Sequence, residues 1–199
     1  SQPPLYRARL FRLDEHDHVF YFMAHHIVWD GWSFDLLYED LSRAYVSRCA
    51  GNAGGLPPLT VEYTDFSAWH RDWMGSDNVQ QQLAHWVKTL GGALEPLELP
   101  ADRPRPARMS GEGATEWVRI PADRAAAVHA LAQREQATSF MVLLAAYYVL
   151  LHRLSGQRDL IVGTPVRGRD RVETESIMGL FVNALPLRVQ VDPEAPFRA

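Results

Sequence analysis

The sequence predicts an α/β fold with two lobes. Apolar β-forming runs alternate with segments of helical periodicity, and apolar residues make up 47% of the 199 residues. A long segment rich in proline and glycine, residues 92–114, separates the two groups of elements. We therefore expect residues 1–91 and 115–199 to belong to different lobes joined by this connector.

The first lobe segment is predicted to contain a strand followed by helices. Residues 19–26 are apolar and rich in β-formers, which predicts a strand buried on both faces. Apolar residues recur at three- and four-residue spacing over 34–45, which predicts a helix with Ser33 as its N-cap. A second helical stretch is predicted over 65–90, with an interruption near Gly75.

The second lobe segment is predicted to alternate strands and helices. In order, the pattern predicts a strand over 115–120, helices over 121–136 and 140–154, and strands over 160–166 and 181–191. Gly156 is expected to end the second of these helices. Pro186 has no N–H to donate to a strand ladder, so the last strand is predicted to lie at an edge or to contain a bulge.

Composition excludes several classes of partner. The net charge of −4 gives no field that would attract a polyphosphate, which argues against nucleic acid. No apolar run approaches the ~20 residues of a membrane span, and no signal peptide opens the chain, so no membrane partner is expected. Cys49 is alone, so no internal disulfide can form and a cytoplasmic location is predicted. The abrupt ends at Ser1 and Ala199 predict an internal piece of a longer protein.

The segment that carries chemistry is 25–33, His-His-Ile-Val-Trp-Asp-Gly-Trp-Ser. His25, His26 and Asp30 are ligand types that zinc accepts, but successive strand residues point to opposite faces and no Cys or Glu cluster stands nearby. We therefore predict no metal site. Two structural core histidines are a second interpretation. A third is a catalytic imidazole, because catalytic groups often lie just past the end of a strand.

The segment resembles the His-His-x-x-x-Asp-Gly signature of condensation domains in nonribosomal peptide synthetases, within the chloramphenicol-acetyltransferase-like superfamily. Residues 63–69 resemble the family's Tyr-x-Asp-(Phe/Tyr)-Ala-x-Trp motif, and 177–184 resemble its Ile-Gly-x-Phe-Val-Asn-Thr motif, in the expected order. Two positions depart from the family pattern, since Trp29 is bulkier than expected before Asp-Gly and Ala184 replaces threonine. The resemblance covers essentially the whole chain.

The resemblance implies a two-lobed chloramphenicol-acetyltransferase-like fold. Residues 1–91 would be the C-terminal part of the N-lobe, 92–114 the inter-lobe connector, and 115–199 the N-terminal part of the C-lobe. The chain would thus hold only the end of one lobe and the first part of the other.

The resemblance also implies an acyltransferase that forms peptide (amide) bonds. In this family an acyl or peptidyl thioester on one carrier protein is attacked by the amine of an aminoacyl thioester on the next. The implied partners are upstream and downstream peptidyl carrier proteins and an adjacent adenylation domain. No cofactor is expected to bind directly, because the substrates arrive on the 4'-phosphopantetheine arms of the carriers. An epimerisation or ester-forming relative, and a non-catalytic recruitment domain, remain alternatives.

The family motifs assign roles to residues of this chain. His26 is the implied catalytic residue, supported by His25, Asp30, Gly31 and Arg169. Arg169 is the expected partner of the Asp30 carboxylate, with Arg167 as the second choice. The residues expected to line the substrate or pantetheine channel are Trp29, Trp32, Ser33 and Asn183.

Overall fold

The computed structural model of the chain describes residues 4–52, 55–104, 106–108 and 110–197; residues 1–3, 53, 54, 105, 109, 198 and 199 lie outside the described residues. The chain forms two compact units. One consists of Ser1–His85 with Thr164–Leu185, and the other of Trp86–Gly163 with Pro186–Ala199.

The first unit opens with an antiparallel hairpin. Strands β1 (Tyr6–Arg12) and β2 (His18–Ala24) pair along their whole length, from Tyr6 opposite Ala24 to Arg12 opposite His18. The predicted burial of residues 19–26 on both faces is wrong, since Phe20 is 42% exposed. Within the described residues this sheet has only two strands, which leaves most of its side chains uncovered.

Three helices follow in the first half of the chain. Helix α1 (Gly31–Cys49) begins after Asp30, whose carboxylate accepts the N–H of Ser33. The predicted N-cap Ser33 is therefore wrong: the aspartate precedes it by three residues and reaches its amide. Helices α2 (Tyr63–Met74) and α3 (Asp77–Thr89) meet at Gly75, which confirms the predicted interruption.

The second unit is built around helices α4 (Ala122–Arg134) and α5 (Ser139–Ser155). The Thr138 hydroxyl caps α5, and Gly156 ends it with a φ of 73°, as predicted. Strands β3 (Asp159–Val166) and β4 (Asn183–Gln190) pair in a second two-stranded sheet, of which residues 159–163 and 186–190 belong to this unit. The buried core of this unit consists of Tyr148, Leu151 and Leu160.

The strand predicted over 115–120 is not formed. This stretch has no regular structure, and Trp117 and Val118 are 91% and 86% exposed. A strand needs a neighbouring ladder to satisfy its backbone groups, and no described strand pairs with this stretch.

The division into two units differs from the predicted lobe boundaries. Thr164–Leu185 belongs with the first unit, because hydrogen bonds of Asp30 and Ser33 hold it there. The N-terminal stretch of the first unit ends at His85, before the predicted connector 92–114. The assignment of 1–91 and 115–199 to the lobes of a larger domain stays a prediction.

Membrane-spanning potential is limited to one helix pair. Among the described residues, no single helix is both long and apolar enough to cross a bilayer. Helices α4 and α5, bent by 105° at their junction, meet the length and composition criteria only when taken together.

Candidate active site

A short turn after β2 carries the two signature histidines. The His25 N–H donates to the carbonyl oxygen of Leu5 at 2.7 Å, which extends the pairing with the β1 side of the hairpin. Its Nδ1 accepts the N–H of Ile27 at 3.1 Å and caps the 3-10 turn His26–Val28. Because an accepting Nδ1 carries no proton, neutral His25 holds its proton on Nε2. His25 therefore fixes the backbone from which His26 projects.

The His26 side chain is exposed beside an open cavity of about 470 Å³. The cavity is lined by His26 together with Leu5, Tyr6, Arg7, Met23 and His25. In the described part of the chain, no hydrogen bond joins the His26 imidazole to another side chain or to the backbone. Such an imidazole can exchange a proton with a molecule that enters the cavity.

The Asp30 carboxylate is the centre of a buried hydrogen-bond network. Its Oδ1 accepts the backbone N–H of Ser33 at 2.9 Å and the Ser33 hydroxyl at 2.7 Å. Its Oδ2 accepts the N–H of Phe181 at 3.1 Å. The Arg169 Nη2 lies 3.1 Å from both carboxylate oxygens. This ion pair is the one predicted from the sequence, whereas Arg167 pairs with Glu175 instead.

The Arg169 guanidinium is fully enclosed. Its side chain is 0% exposed, and that of Asp30 is 3% exposed. The Nη1 donates to the carbonyl oxygens of Thr174 and Ile177, the second at 2.7 Å, and the guanidinium lies 4.0 Å from the centre of the Phe181 ring. Its Nε has no hydrogen-bond partner among the described residues. The charge is thus balanced by one carboxylate and two carbonyl dipoles.

The surroundings of Asp30 keep it ionised. Burial by itself raises the pKa of this carboxyl group, but the hydrogen bonds from Ser33 and Phe181 and the charge of Arg169 outweigh burial and leave the pKa below its usual value. Burial lowers the pKa of Arg169, and Asp30 opposes that shift. The pair is therefore a structural ion pair and not a proton donor or acceptor near neutral pH.

Ser33 joins helix α1 to the third sequence motif. Its hydroxyl is fully buried and accepts the N–H of Gly179 at 2.9 Å. The same oxygen lies 3.0 Å from the carbonyl oxygen of Gly179. From the sequence, Ser33 was expected in a channel or at a helix cap, and this link was missed. The spacing of three residues from Asp30 was a signal for the Asp30–Ser33 contact alone, because it is the spacing of an N-cap and the amide it binds.

Two glycines permit close contacts of residues 167–181, Gly168 within the segment itself and Gly179 with helix α2. Gly168 has a φ of 66°, and a Cβ there would lie 2.0 Å from the carbonyl oxygen of Phe181. A Cβ on Gly179 would lie 2.3 Å from the Tyr63 ring. Gly168 was not identified from the sequence as part of the site. Its position between two arginines, where the chain leaves a strand, was the only signal.

The aromatic residues of the second motif pack as a cluster. The Tyr63 and Phe66 rings lie 5.2 and 4.6 Å from the ring of Phe181, and Phe66 continues to Trp69 at 5.9 Å. The Tyr63 hydroxyl donates to the carbonyl oxygen of Leu180 at 2.7 Å. Burial raises the pKa of Tyr63, with a further contribution from the Asp30 charge, so the hydroxyl stays a donor. These residues hold the third motif against α2.

The predicted channel residues have different surroundings. The Trp29 ring packs against Phe22 and Phe34 at 5.0 and 5.6 Å, and its buried Nε1 lacks a partner among the described residues. The Trp32 Nε1 donates to the carbonyl oxygen of Glu175 at 2.8 Å. Asn183 is exposed at the start of β4.

Gly31 is the first residue of α1, and a Cβ there would meet no atom within 4 Å. Open space therefore borders the helix start at this point. The roles of Gly31 and of the other proposed channel residues in substrate access stay predictions.

The described residues contain no cluster of three or more His, Cys, Asp or Glu side chains that could hold a metal ion. Asp30 already accepts hydrogen bonds on both oxygens, and the Nδ1 of His25 accepts a backbone N–H. These atoms are therefore occupied by donors from the chain itself.

Comparison with known proteins decides the family. The sequence model described as Condensation domain matches residues 1–199. The chain belongs to the condensation domain family. A linear gramicidin synthase protein of Brevibacillus parabrevis is 46% identical over 195 residues. Phosphinothricin tripeptide synthetase PhsC of Streptomyces viridochromogenes is 40% identical over 197 residues. The resemblance to condensation domains of nonribosomal peptide synthetases is thereby confirmed.

Solved structures agree with the predicted fold. The X-domain from teicoplanin biosynthesis superposes with a TM-score of 0.89 at 29% identity, over 98% of this chain and 44% of that chain. The first condensation domain of the CDA synthetase gives a TM-score of 0.74 at 29% identity, over 99% of this chain and 43% of that chain. The α/β, chloramphenicol-acetyltransferase-like fold is therefore confirmed.

This condensation domain sequence spans a small part of its relatives. In the match to the linear gramicidin synthase protein, 98% of this chain corresponds to 2% of that protein. The corresponding values for the phosphinothricin tripeptide synthetase are 99% and 18%.

Proposed function

We propose that the protein carrying this sequence forms an amide bond between an acyl or peptidyl thioester and the amine of an aminoacyl thioester, both held on carrier proteins. The observation that carries this proposal is the exposed His26 imidazole, beside an open cavity, on a turn bounded by the buried Asp30–Arg169 pair. Membership in the condensation domain family supports the same reaction class.

His26 is the group proposed to receive a proton during the reaction. A free α-amine has a pKa of about 8, so a fair fraction is already neutral. Removing its proton beforehand would raise the reaction rate only about tenfold. After the amine nitrogen bonds to the thioester carbonyl carbon, however, that nitrogen becomes strongly acidic. His26 would accept its proton while the carbon–sulfur bond breaks, and the pantetheine sulfur would finally take up a proton.

The other signature residues are proposed to hold the turn. His25 caps the 3-10 turn through its Nδ1, and Asp30 caps α1 while pairing with Arg169. Both contacts restrict the backbone on either side of His26. Fixing the imidazole relative to two tethered substrates would supply part of the rate through proximity.

The direct test compares His26→Ala with His16→Ala in the full-length protein. With two loaded carrier proteins, mass spectrometry should detect the dipeptidyl thioester, and His26→Ala should form it at least about a hundredfold more slowly. The melting temperature should not change, because the His26 side chain is exposed. His16 is also exposed and lies in the β1–β2 loop, so its loss should leave the rate unaltered. Unchanged turnover of His26→Ala would remove this residue from the mechanism.

A recruitment role is the second candidate. It is favoured by the TM-scores of 0.89 and 0.87 with the teicoplanin X-domain, which has also been solved in complex with OxyB. The intact His26, Asp30 and Gly31 favour catalysis instead. Carrier binding without transfer of the acyl group in the same assay would support recruitment, whereas an ester product or an inverted aminoacyl centre would indicate the related reactions.

A further inference from the structure

Residues 167–171, Arg-Gly-Arg-Asp-Arg, offer three arginines, two residues apart, to one buried carboxylate. A shift of the segment by two residues would bring a different arginine to Asp30. We propose that Trp32 and Trp69 are positioning residues, whose rings hold the two outer arginines so that Arg169 alone reaches Asp30. The kinetic consequence of this inference rests on the function proposed above; the structural part does not.

Each arginine of the segment lies over its own aromatic ring. The guanidinium carbon of Arg167 is 3.8 Å from the centre of the Trp32 ring, and that of Arg171 is 4.4 Å from the centre of the Trp69 ring. Arg169, between them, lies over the buried Phe181. A guanidinium at these distances is attracted by the electron-rich face of the ring. The outer arginines are therefore engaged away from the carboxylate.

Trp32 holds its part of the segment through two further contacts. Its Nε1 donates to the carbonyl oxygen of Glu175 at 2.8 Å, and the Glu175 carboxylate pairs with Arg167 at 3.0 Å. Trp32 at the start of α1, Arg167 and Glu175 thus form a closed set of contacts beside the turn of the signature. Trp69 on α2 contacts Arg171 through its ring.

Gly168 opposes the alternative registers. Its φ of 66° and the 2.0 Å approach of a Cβ to the Phe181 carbonyl oxygen allow only glycine at this position. If Arg171 entered the pocket, Asp170 would occupy the place of Gly168; if Arg167 entered, Val166 would. Both of these residues carry a Cβ, and a branched one resists positive φ most strongly. The rings and the glycine thus favour the same register, the rings by holding the outer arginines and the glycine by penalising a residue with a Cβ at its place.

Register selection is a role suited to a buried ion pair. Such a pair contributes little net stability compared with apolar replacements, and its best-attested benefit is to specify one arrangement among several. Here the chosen arrangement places the Asp30 carboxylate at the end of the turn that begins at His26. The two tryptophans would therefore set the geometry of the signature through contacts within the protein.

Limited trypsin digestion of the native full-length protein tests whether the rings hold the segment in place, because trypsin cleaves after Arg167 and Arg171 only when the segment opens. Trp32→Leu and Trp69→Leu should each raise cleavage in the segment about tenfold, in proportion to the population of the open form. Trp32→Phe, which keeps a ring but loses the N–H, should stay within about threefold of the wild type. Trp117→Leu is the matched control, since Trp117 is 91% exposed.

Cleavage after Arg153, within α5, reports on global unfolding. If the leucine variants cleave like Trp117→Leu, or if Trp32→Phe opens the segment as much as Trp32→Leu, the rings do not hold the register and the inference is overturned. An equal rise after Arg153 in Trp32→Leu and Trp69→Leu would overturn it as well, because the opening would then be global and not confined to the segment.

The kinetic arm separates this inference from the proposed function. Trp32→Leu should lower kcat for dipeptidyl thioester formation about tenfold and leave KM for both carriers unchanged. In Trp32→Phe, kcat should return close to the wild-type value. A wild-type protein that forms no product would contradict the proposed function while leaving the digestion result intact. An open segment with unchanged kcat would show that the register does not act on His26.

Discussion

Replacing Asp30 with alanine removes the acceptor around which the start of α1 is organised. The variant would leave the Arg169 guanidinium, 0% exposed, without its counter-charge, and would leave the amides of Ser33 and Phe181 without their acceptor. Breaking a buried ion pair in this way costs about 3–5 kcal/mol. The lost N-cap, about 1 kcal/mol, is contained in this figure because the same carboxylate provides it.

This cost is large compared with the stability of a domain. Folded domains are stable by about 5–15 kcal/mol, so Asp30→Ala should remove a major share and reduce the yield of folded protein. Hydrogen exchange should show the loss of stability at the backbone amides that the carboxylate binds. Peptides that contain the amides of Ser33 and Phe181 should exchange faster, because both N–H groups donate to the missing carboxylate.

Two further variants isolate the ion pair. Arg169→Met should cost a similar amount, and the double variant Asp30→Ala with Arg169→Met should cost about 2–3 kcal/mol less than the sum of the two single variants, because neither charge is then left unpaired. Arg43→Met is the control: it breaks the Arg43–Glu39 pair, whose side chains are 50% and 55% exposed, and should cost less than about 1 kcal/mol. A cost below about 1 kcal/mol for Asp30→Ala, or costs of the single variants that add up in the double variant, would contradict a buried and coupled Asp30–Arg169 pair.

Three further predictions follow from the same contacts. Folding lowers the pKa of Asp30, so its ionised form stabilises the fold above the unfolded pKa of about 4. This stability is lost as the pH falls through the folded pKa. The free energy of unfolding, measured towards acid pH, should lose this dependence in Asp30→Asn. Gly168→Ala should lower the melting temperature by the equivalent of at least about 2 kcal/mol, whereas Gly31→Ala, where a Cβ meets nothing within 4 Å, should change it little. Tyr63→Phe keeps the ring contacts but loses the 2.7 Å hydrogen bond to Leu180, so urea unfolding should show a loss of about 1 kcal/mol.

Local signals in the sequence were sufficient for the helices. Helix α5 is bounded by Thr138 and Gly156, whose effects on the backbone depend on neighbours within a few residues. The strand predicted over 115–120 and the burial predicted for 19–26 were wrong for the opposite reason. Both depend on a partner strand or a covering layer, and a pattern along one segment does not report whether that partner is present.

Some contacts of the candidate site could likewise be predicted from the sequence, and others could not. The pairing of Asp30 with Arg169 could be predicted, because a buried carboxylate needs a cation and the family motifs narrowed the choice. The contact of Ser33 with Gly179 joins residues 146 positions apart and had no local signal. The need for glycine at 168 arises from the Phe181 carbonyl oxygen, which only the folded chain brings close.

The positions of the protons in the network decide which signature residue can do chemistry. The Ser33 hydroxyl has one hydrogen and lies near two acceptors, Asp30 Oδ1 at 2.7 Å and the Gly179 carbonyl oxygen at 3.0 Å. The carboxylate is the stronger acceptor and takes it, so the Gly179 N–H, the hydroxyl and the carboxylate form a chain whose donors all point towards Asp30. With Arg169 and the Phe181 N–H also donating, both carboxylate oxygens are occupied and the pKa is held low despite burial. Asp30 therefore has neither a free lone pair nor the basicity to accept a proton from an amine, and among the signature side chains the exposed imidazole of His26 is the one proposed to do so.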